Sequence, residues 1–297
     1  MSDVPILLLS RMARGSVKMV LTGEGADEIL AGYPKHRAER WLGLYQGLVP
    51  AGLHRGVVAP AVAALPYGMR RIKTVAATLG ERDEPSRMRA WFGGLSRARR
   101  DAVIGRTGED RLDPYPFSAE AGSRLRRTLF FDQTSWLPDN LLERGDRMMM
   151  AAGVEGRMPF LDGDLARLVA RFPDRFLVGH PKGKAVLRAA ARRSLPGTIL
   201  DRKKVGFRVP MNEWLRGPAR DRLRDCLTSD ESETRRLFAA PEIDRLVRQH
   251  VDGRQNHEKV LWSLMNVEMF LRTFRPGLGA AAPVEADPVP ELMAAAR

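Results

Sequence analysis

The sequence predicts a mainly α-helical chain with one or two parallel β-strands near its N-terminus, an α/β arrangement. The apolar run from Val17 to Leu21 stops at a loop with two glycines and three carboxylates, and an apolar pattern resumes at Ile29. This order is typical of a strand, a loop and a helix in a parallel α/β unit. After residue 36 strand signals almost vanish, and apolar side chains recur at helical spacing.

The elements follow from this pattern in chain order. The segment PILLLS predicts the core face of a helix from Ile6 to Met12. The stretch from Leu48 to Lys73 predicts short helices with breaks at Pro50, Pro60 and Pro66. Further helices are predicted over Arg87–Gly105, Ser118–Thr134, the residues after Pro138, those after a capping Asp162, Lys184–Leu195, Arg220–Cys226, Ala240–His250 and Glu258–Phe274.

The helix after Pro138 has the clearest signals. Pro138 suits a first helical turn, and Gly153 suits the residue that ends the helix. Arg144 and Arg147 are predicted to point away from an apolar stripe on this helix. The stripe consists of Leu141, Leu142, Gly145, Met148, Met149 and Ala152.

Composition divides the chain of 297 residues into three parts. Residues 1–36 are predicted to be a piece of a parallel α/β unit, and residues 37–276 its helical companion. The tail from 277 to 297 is rich in Ala and Pro, has little core material and is expected to be disordered.

Charge and cysteine content exclude several classes of protein. The net charge of +13 is spread along the chain as arginine rather than gathered in one block, which favours solvated helix faces over a nucleic-acid groove. Cys226 is the only cysteine, and the histidines show no metal-ligand spacing. No apolar run is long enough to span a bilayer. We therefore expect a soluble, cytoplasmic chain with neither nucleic acid nor membrane as a partner.

The loop after the predicted strand is the candidate site. Glycines there let a backbone approach a ligand, and a carboxylate can hold Mg²⁺ or act as a base. Acidic residues also favour helix N-termini for electrostatic reasons alone, so a simple capped helix is the other interpretation.

The same loop carries a family resemblance. The segment TGEGADEILAGYPKH, residues 22–36, resembles the SGEGADE segment of the asparagine synthetase family. Three more segments follow in the order of that family: residues 137–162, GKAVLR at 183–188, and RKKVGFRVPMNEWLRG at 202–217. The resemblance implies an adenine nucleotide alpha hydrolase-like synthetase domain, of which residues 1–36 are the remnant of the nucleotide-binding unit.

The resemblance also implies roles for residues near the strand. Thr22, Gly23 and Glu24 match the family segment that contacts ATP, and Thr22 replaces the usual serine while keeping a hydroxyl. Glu24 matches the glutamate that supports attack on an acyl-adenylate. Asp27 matches an aspartate near Mg²⁺. ATP and Mg²⁺ are therefore the expected cofactors, with aspartate or a related carboxylic acid and ammonia as substrates.

Three cations are implied to complete the site, and the two arginines among them also have a plainer interpretation. Lys184 matches the family lysine at the reacting centre, and a lysine at a helix start opposes the helix dipole, which favours function. Arg147 either lies near substrate or is a solvated arginine. Arg157 either binds a carboxylate or phosphate or forms a salt bridge to Glu155 or Asp162.

Two features of the family are missing from this sequence. The pyrophosphate-binding Ser-Gly-Gly-x-Asp-Ser loop does not occur, since FGGLS at 92–96 lacks the first serine and the aspartate, and no glutaminase domain with an N-terminal cysteine is present. The chain is therefore expected to be the C-terminal portion of a synthetase domain, with the missing nucleotide-binding and glutaminase half as its partner. A related amide-forming synthetase, of the β-lactam synthetase or lasso-peptide cyclase type, and a non-catalytic split or truncated half remain open.

Overall fold

A computed structural model describes residues 2–65, 75–76, 78–92, 97–105, 120, 122–179, 183–202 and 209–274. Three helices near the N-terminus are α1 (Asp3–Arg14), α2 (Ala26–Leu30) and α3 (Pro34–Leu48). Later α-helices span Ala51–Leu53, Ala59–Ala63, Glu84–Phe92, Arg97–Ile104, Arg124–Phe131, Glu143–Ala151, Gly163–Ala170, Arg175–Val178, Ala185–Ala191, Gly197–Leu200, Met211–Arg216, Arg220–Thr228, Glu233–Leu237, Ala240–Val251 and Glu258–Phe274.

The chain divides into two compact units. Among the described residues, the first unit comprises those from 2 to 92 and from 120 to 202, and the second comprises 97–105 and 209–274. Residues on both sides of the predicted boundary at 36 lie in the first unit, and the predicted tail from 277 lies outside the described residues.

The first unit contains a small parallel sheet. Strand β1 (Met19–Leu21) pairs with β2 (Glu155–Arg157), and Val20 lies opposite Gly156. The first strand confirms the prediction at Val17–Leu21, although its regular pairing begins two residues later. The second strand lies at Glu155–Arg157 in the middle of the chain, where it pairs with the strand predicted near the N-terminus. EGR has no apolar alternation, and only its tertiary partner makes this segment a strand.

Helices cover the sheet and build the core of the first unit. Helix α1 packs against Glu143–Ala151, and α3 packs against Arg124–Phe131. Around α2 lies a buried apolar cluster formed by Ile29, Leu30, Ala31, Leu125, Leu129, Val169, Leu177 and Val178. This core fixes α2, the helix that starts in the candidate site.

The second unit has its own core. Helices Arg220–Thr228, Ala240–Val251 and Glu258–Phe274 pack against one another. Their buried apolar side chains include Leu223, Leu227, Ile243, Leu246, Val260, Leu261 and Leu264. The predicted helix Glu258–Phe274 is confirmed at both ends.

Prolines account for two wrong predictions. Pro60 breaks no helix, because the π-helical segment His54–Val58 runs directly into Ala59–Ala63 and its wider winding accommodates a residue that cannot donate a hydrogen bond. Pro138 begins no helix, because it lies inside the π-helical segment Asp132–Leu142, whose wider winding accommodates a residue that cannot donate a hydrogen bond. The α-helix itself starts at Glu143.

Other helix ends follow the sequence signals. Asp162 caps Gly163–Ala170 by accepting from the backbone N–H groups of Asp164 and Leu165. Gly153 has φ +69° after the Glu143–Ala151 helix, as predicted. The helix predicted over Lys184–Leu195 is shorter, Ala185–Ala191, and Pro196 precedes a new helical turn rather than only closing the old one.

Candidate functional site

The candidate site lies where the two parallel strands end. The backbone N–H of Thr22 donates to the carbonyl oxygen of Arg157 at 2.8 Å, just beyond the last paired residues. In parallel sheets the carboxyl ends of the strands border the ligand crevice. The sheet therefore brings the 22–24 segment and Arg157, far apart in sequence, to one edge.

A glycine turn leads from β1 into α2. Gly25 precedes the helix with φ +84°, a conformation that side chains rarely adopt, and a Cβ atom at this position would collide with Leu161. The turn directs Glu24 to one side of the helix start, while Asp27 lies in the first turn. Glycine at 25 is thus required by both the backbone angle and the space.

The Glu24 carboxylate lies in a niche against the Glu143–Ala151 helix. A Cβ atom at Gly145 would be 3.0 Å from Glu24 Oε2, so glycine leaves room for the carboxylate. Glu24 Oε2 is buried and has no hydrogen-bond partner among the described residues. The hydroxyl of Thr22 is also buried without a partner there. Two orphaned polar atoms thus lie within three residues of each other at the end of β1.

Burial and a nearby arginine set the charge of Glu24. Burial raises the pKa of the Glu24 carboxyl above its usual 4.5, and the positive charge of Arg144 partly opposes this. Arg144 is mostly buried, donates to Asn140 Oδ1 at 2.9 Å and lies 3.7 Å from Asp3. Arg144 was predicted to point away from the apolar stripe of its helix, and its guanidinium is nevertheless mostly covered, with Glu24 and Asp3 as neighbouring acidic groups.

Asp27 and Lys184 meet across the turn that follows α2. Lys184 Nζ lies 2.9 Å from Asp27 Oδ1, and each side chain is about four-fifths buried. A Cβ atom at Gly32 would collide with both side chains, so glycine there admits the pair. The structure thus brings together two site residues that the sequence predicted and that lie far apart along the chain.

Lys184 has an unusual backbone conformation. Its φ of +51° is in the left-handed region, immediately before the Ala185–Ala191 helix. A non-glycine residue in this conformation costs on the order of 1 kcal/mol, and such residues cluster at functional sites. The contact with Asp27, rather than local helix stability, explains why a lysine stands here.

The two predicted arginines do not join this cluster. Arg147 is 70% exposed and pairs with Glu143 at 2.6 Å, one helical turn away. Arg157 is 61% exposed and pairs with Glu155 at 2.8 Å, which is one of the two salt bridges that the sequence left open. The backbone of Arg157 lies at the site, but its guanidinium is held by a neighbour on the same strand. Both arginine side chains are therefore exposed and form a salt bridge within their own helix or strand.

The residues present suit a cation that arrives with a nucleotide. Among the described residues, no group of three or more His, Cys, Asp or Glu side chains forms a metal cage. Mg²⁺ is commonly bound through one or two carboxylates together with substrate phosphates, and Asp27 supplies one such carboxylate. Lys184 beside it has the charge that phosphate oxygens require.

Several side chains near the site escaped the sequence-based prediction. Arg144 and Gly145 were assigned by helical periodicity alone, although a glycine inside an apolar stripe is a signal that another side chain packs there. Lys35 and His36 were given no role, yet both are buried against Asp132. A single sequence does not show which buried polar residues form a pair when they lie this far apart along the chain. Lys203 and Lys204 lie outside the described residues.

Comparison with known proteins decides the family. The sequence profile of asparagine synthase matches residues 1–272. The chain belongs to the asparagine synthase family. Asparagine synthetase [glutamine-hydrolyzing] 1 of Bacillus subtilis is 26% identical over 270 residues, which cover 88% of this chain and 41% of that protein. A putative asparagine synthetase of Mycobacterium bovis is 30% identical over 270 residues, covering 88% of this chain and 40% of that protein.

A more distant relative has a different name. An amidase of Penicillium rubens is 24% identical over 285 residues, covering 78% of this chain and 39% of that protein. The chain thus spans about two-fifths of the length of these relatives. In the part of the chain that the structure describes, no helix has the length and apolar character needed to cross a membrane.

Proposed function

We propose that this chain forms part of an ATP-dependent amide-forming ligase that makes asparagine from aspartate through a β-aspartyl-adenylate. The observation that carries the proposal is the Asp27–Lys184 ion pair in the segment that follows β1, together with the buried Oε2 atom of Glu24 three residues earlier in that segment. Family membership supports the reaction class. The substrates and the intermediate are inferred from the chemistry of these side chains.

The first step of the proposed reaction places negative charge at phosphorus. A carboxylate oxygen of aspartate attacks the α-phosphorus of ATP, a new P–O bond forms, and pyrophosphate leaves. Lys184 is the cation that pairs with Asp27, is about four-fifths buried and would stabilise this charge. Mg²⁺ bound with ATP would neutralise further phosphate charge, and Asp27 is the residue that would hold it.

The second step needs a proton acceptor. Ammonia attacks the acyl carbon, the bond to AMP breaks, and the nitrogen must lose a proton to leave the neutral amide. Burial raises the pKa of Glu24 toward the range in which a carboxylate accepts protons efficiently. Its unpartnered buried oxygen, Oε2, is the atom proposed to take the proton.

The proposed partner is a polypeptide that carries the pyrophosphate-binding loop and the glutaminase, in the same chain or a separate one. Two facts support it. The sequence contains no Ser-Gly-Gly-x-Asp-Ser loop, and the relatives are about two and a half times as long as the matched region. In the described residues the sheet has two strands, and Leu21 of β1 is 69% exposed. A parallel sheet this small is normally covered and extended by further α/β units.

Isotope transfer tests the proposed intermediate. The chain would be assembled with the loop-bearing partner, and aspartate labelled with ¹⁸O in its β-carboxylate would be supplied with ATP and ammonia. Attack at the α-phosphorus transfers one labelled oxygen to AMP. Label in inorganic phosphate, with ADP as product, would instead show an acyl phosphate and overturn the proposal.

A matched pair of lysine variants tests the site. Lys184→Gln removes the buried cation and is expected to abolish label transfer, whereas Lys18→Gln changes an exposed lysine just before β1 and should leave the rate unchanged. Equal rates in both variants would remove Lys184 from the reaction.

The acid and the amine can be tested with the same assembly. The site residues specify a carboxylate activated by ATP but do not specify its side chain, and the distant relative is an amidase by name. A panel of carboxylic acids assayed by pyrophosphate release would separate aspartate from other acids. Preference for an acid other than aspartate by tenfold or more would favour a related amide-forming synthetase.

A further inference from the structure

A buried polar network adjoins the candidate site. Asp132 is fully buried and accepts hydrogen bonds from Lys35 Nζ at 2.6 Å and from His36 Nε2 at 2.7 Å. Lys35 and His36 lie in the first turn of α3, whereas Asp132 begins the π-helical segment 132–142. A carboxylate with two buried donors from another element fixes the position of that helix start.

The protonation state of His36 follows from its neighbours. The backbone N–H of Tyr33 donates to His36 Nδ1 at 3.3 Å, so Nδ1 acts as an acceptor and the ring proton lies on Nε2, facing Asp132. Burial lowers the pKa of His36, which keeps the ring neutral. Asp132 therefore has one charged donor, Lys35, and one neutral donor.

The same network reaches α2 through two hydrogen bonds. The hydroxyl of Tyr33 donates to the carboxylate of Glu28, and Gln133 Nε2 donates to the backbone oxygen of Glu28 at 3.1 Å. Glu28 is buried and directly follows Asp27 in the chain. The turn of α2 that presents Asp27 is thus attached to Asp132 on one side through α3 and on the other through the adjacent Gln133.

We propose that Asp132 is a positioning residue of the candidate site. By ordering the turn between α2 and α3, it holds Asp27 in place against Lys184. Its importance for the reaction rests on the proposed function, but the positioning itself concerns only this chain. The contacts that connect Asp132 to α2 run through α3 and Gln133, so it acts through the network and not as a catalytic residue.

A second buried carboxylate on α3 provides a matched control. Glu39 is 1% exposed and accepts from Arg87 Nε and Trp91 Nε1, both at 3.0 Å. These partners lie in the Glu84–Phe92 helix, away from α2. Asp132→Asn and Glu39→Gln both leave buried donors without their charged acceptor, and both should destabilise the fold. Only the first is expected to disturb the Asp27–Lys184 pair.

Acylation of Lys184 by a small amine-reactive ester reports on that pair in the full chain, without nucleotide or substrate. The rate at this one lysine would be measured by peptide mass spectrometry at a temperature at which all variants are folded. Asp27→Asn removes the partner and sets the upper limit. An ion pair of this kind is worth little free energy, so its loss changes the fraction of unpaired Lys184 only modestly. Asp132→Asn should therefore raise the acylation rate of Lys184 roughly 2- to 5-fold. Glu39→Gln should leave that rate at the parental value.

A milder variant keeps the test decisive if Asp132→Asn does not fold. Tyr33→Phe removes only the hydroxyl group that donates to the Glu28 carboxylate. Like Asp132→Asn, it should raise the acylation rate of Lys184. Parental rates at Lys184 in the folded Asp132 and Tyr33 variants would overturn the positioning role. Because the assay contains no substrate, failure of the proposed amide-forming reaction would not change its outcome.

Discussion

At the scale of single residues, Glu24 shows how a tertiary neighbour changes the chemistry of a carboxylate. In the sequence it is an acid near a helix start, where its charge alone would be favourable. In the structure it is buried beside Gly145, with Arg144 as the nearest stabilising charge. Burial makes it a stronger base than an exposed glutamate, which is the property the proposed second step requires.

The proposed role of Glu24 predicts a selective loss of activity. In the assembled protein, Glu24→Gln keeps the shape of the side chain but removes the base. Amide formation should fall by about 10²- to 10⁴-fold while ATP binding stays nearly unchanged. Turnover and nucleotide titration measure the two effects, and Glu143→Gln, at an exposed position, is the control. A variant within about 3-fold of the parent would leave Glu24 as a helix-start acid only.

The same substitution predicts a pH-dependent gain in stability of the isolated chain. The folded-state pKa of Glu24 is raised above 4.5, so the folded state binds more protons than the unfolded state above pH 4.5, and stability is lost as the pH rises through the folded pKa. Glu24→Gln removes this loss. We expect equal thermal midpoints well below pH 4.5 and a higher midpoint for the variant than for the parent near pH 8. A variant that melts lower than the parent near pH 8 would contradict the assigned cause.

At the scale of elements, the two short strands depend on what packs against them. Gly156 in β2 faces Met149 so closely that a Cβ atom would collide with its side chain, and Met149 is buried. The strand pair and the Glu143–Ala151 helix therefore form one packed element, and the niche of Glu24 depends on that packing.

This packing predicts different effects for two glycine substitutions. Gly156→Ala should lower the free energy of unfolding by about 1–3 kcal/mol, because the added methyl group forces Met149 out of its position. Gly47→Ala is the control, since no atom lies within 4 Å of its Cβ position in α3 and alanine favours a helix. Chemical denaturation measures both. If Gly156→Ala is as stable as the parent, the side chain of Met149 moves aside without a loss of stability.

At the scale of the whole molecule, the first unit presents apolar surface at the sheet. Met19 and Leu21 of β1 are 41% and 69% exposed, and Met12 of α1 is 76% exposed. One edge of β1 is paired with β2. Its exposed apolar side chains still resemble an interface more than a solvated surface.

The exposed strand predicts the behaviour of the isolated chain. It should self-associate, and it should make no detectable asparagine from ATP, aspartate and ammonia because no pyrophosphate-binding loop is present. The double substitution of Met19 and Leu21 by lysine should reduce self-association in light scattering after size-exclusion chromatography, whereas Leu48→Lys, at an exposed apolar site on α3, should not. Robust turnover by the chain alone would show that the loop is dispensable.

The sequence by itself determined the family, the helical character and the segments of the site. Local signals sufficed for these, because a capping aspartate at 162, a glycine after a helix and helical spacing over 258–274 act within a few residues. The motif segments likewise singled out Glu24, Asp27 and Lys184 as candidate site residues without knowledge of their contacts.

Only the tertiary structure decided which of these residues meet and in what state. The pairing of β1 with β2, the contact of Asp27 with Lys184 and the burial of Asp132 join positions about 100 residues apart or more. Such contacts depend on how helices pack, and neither periodicity nor propensity specifies packing. The burial of Arg144 beside Asp3 of α1 follows from the same cause, whereas Arg147 and Arg157 pair with Glu143 and Glu155 of their own elements.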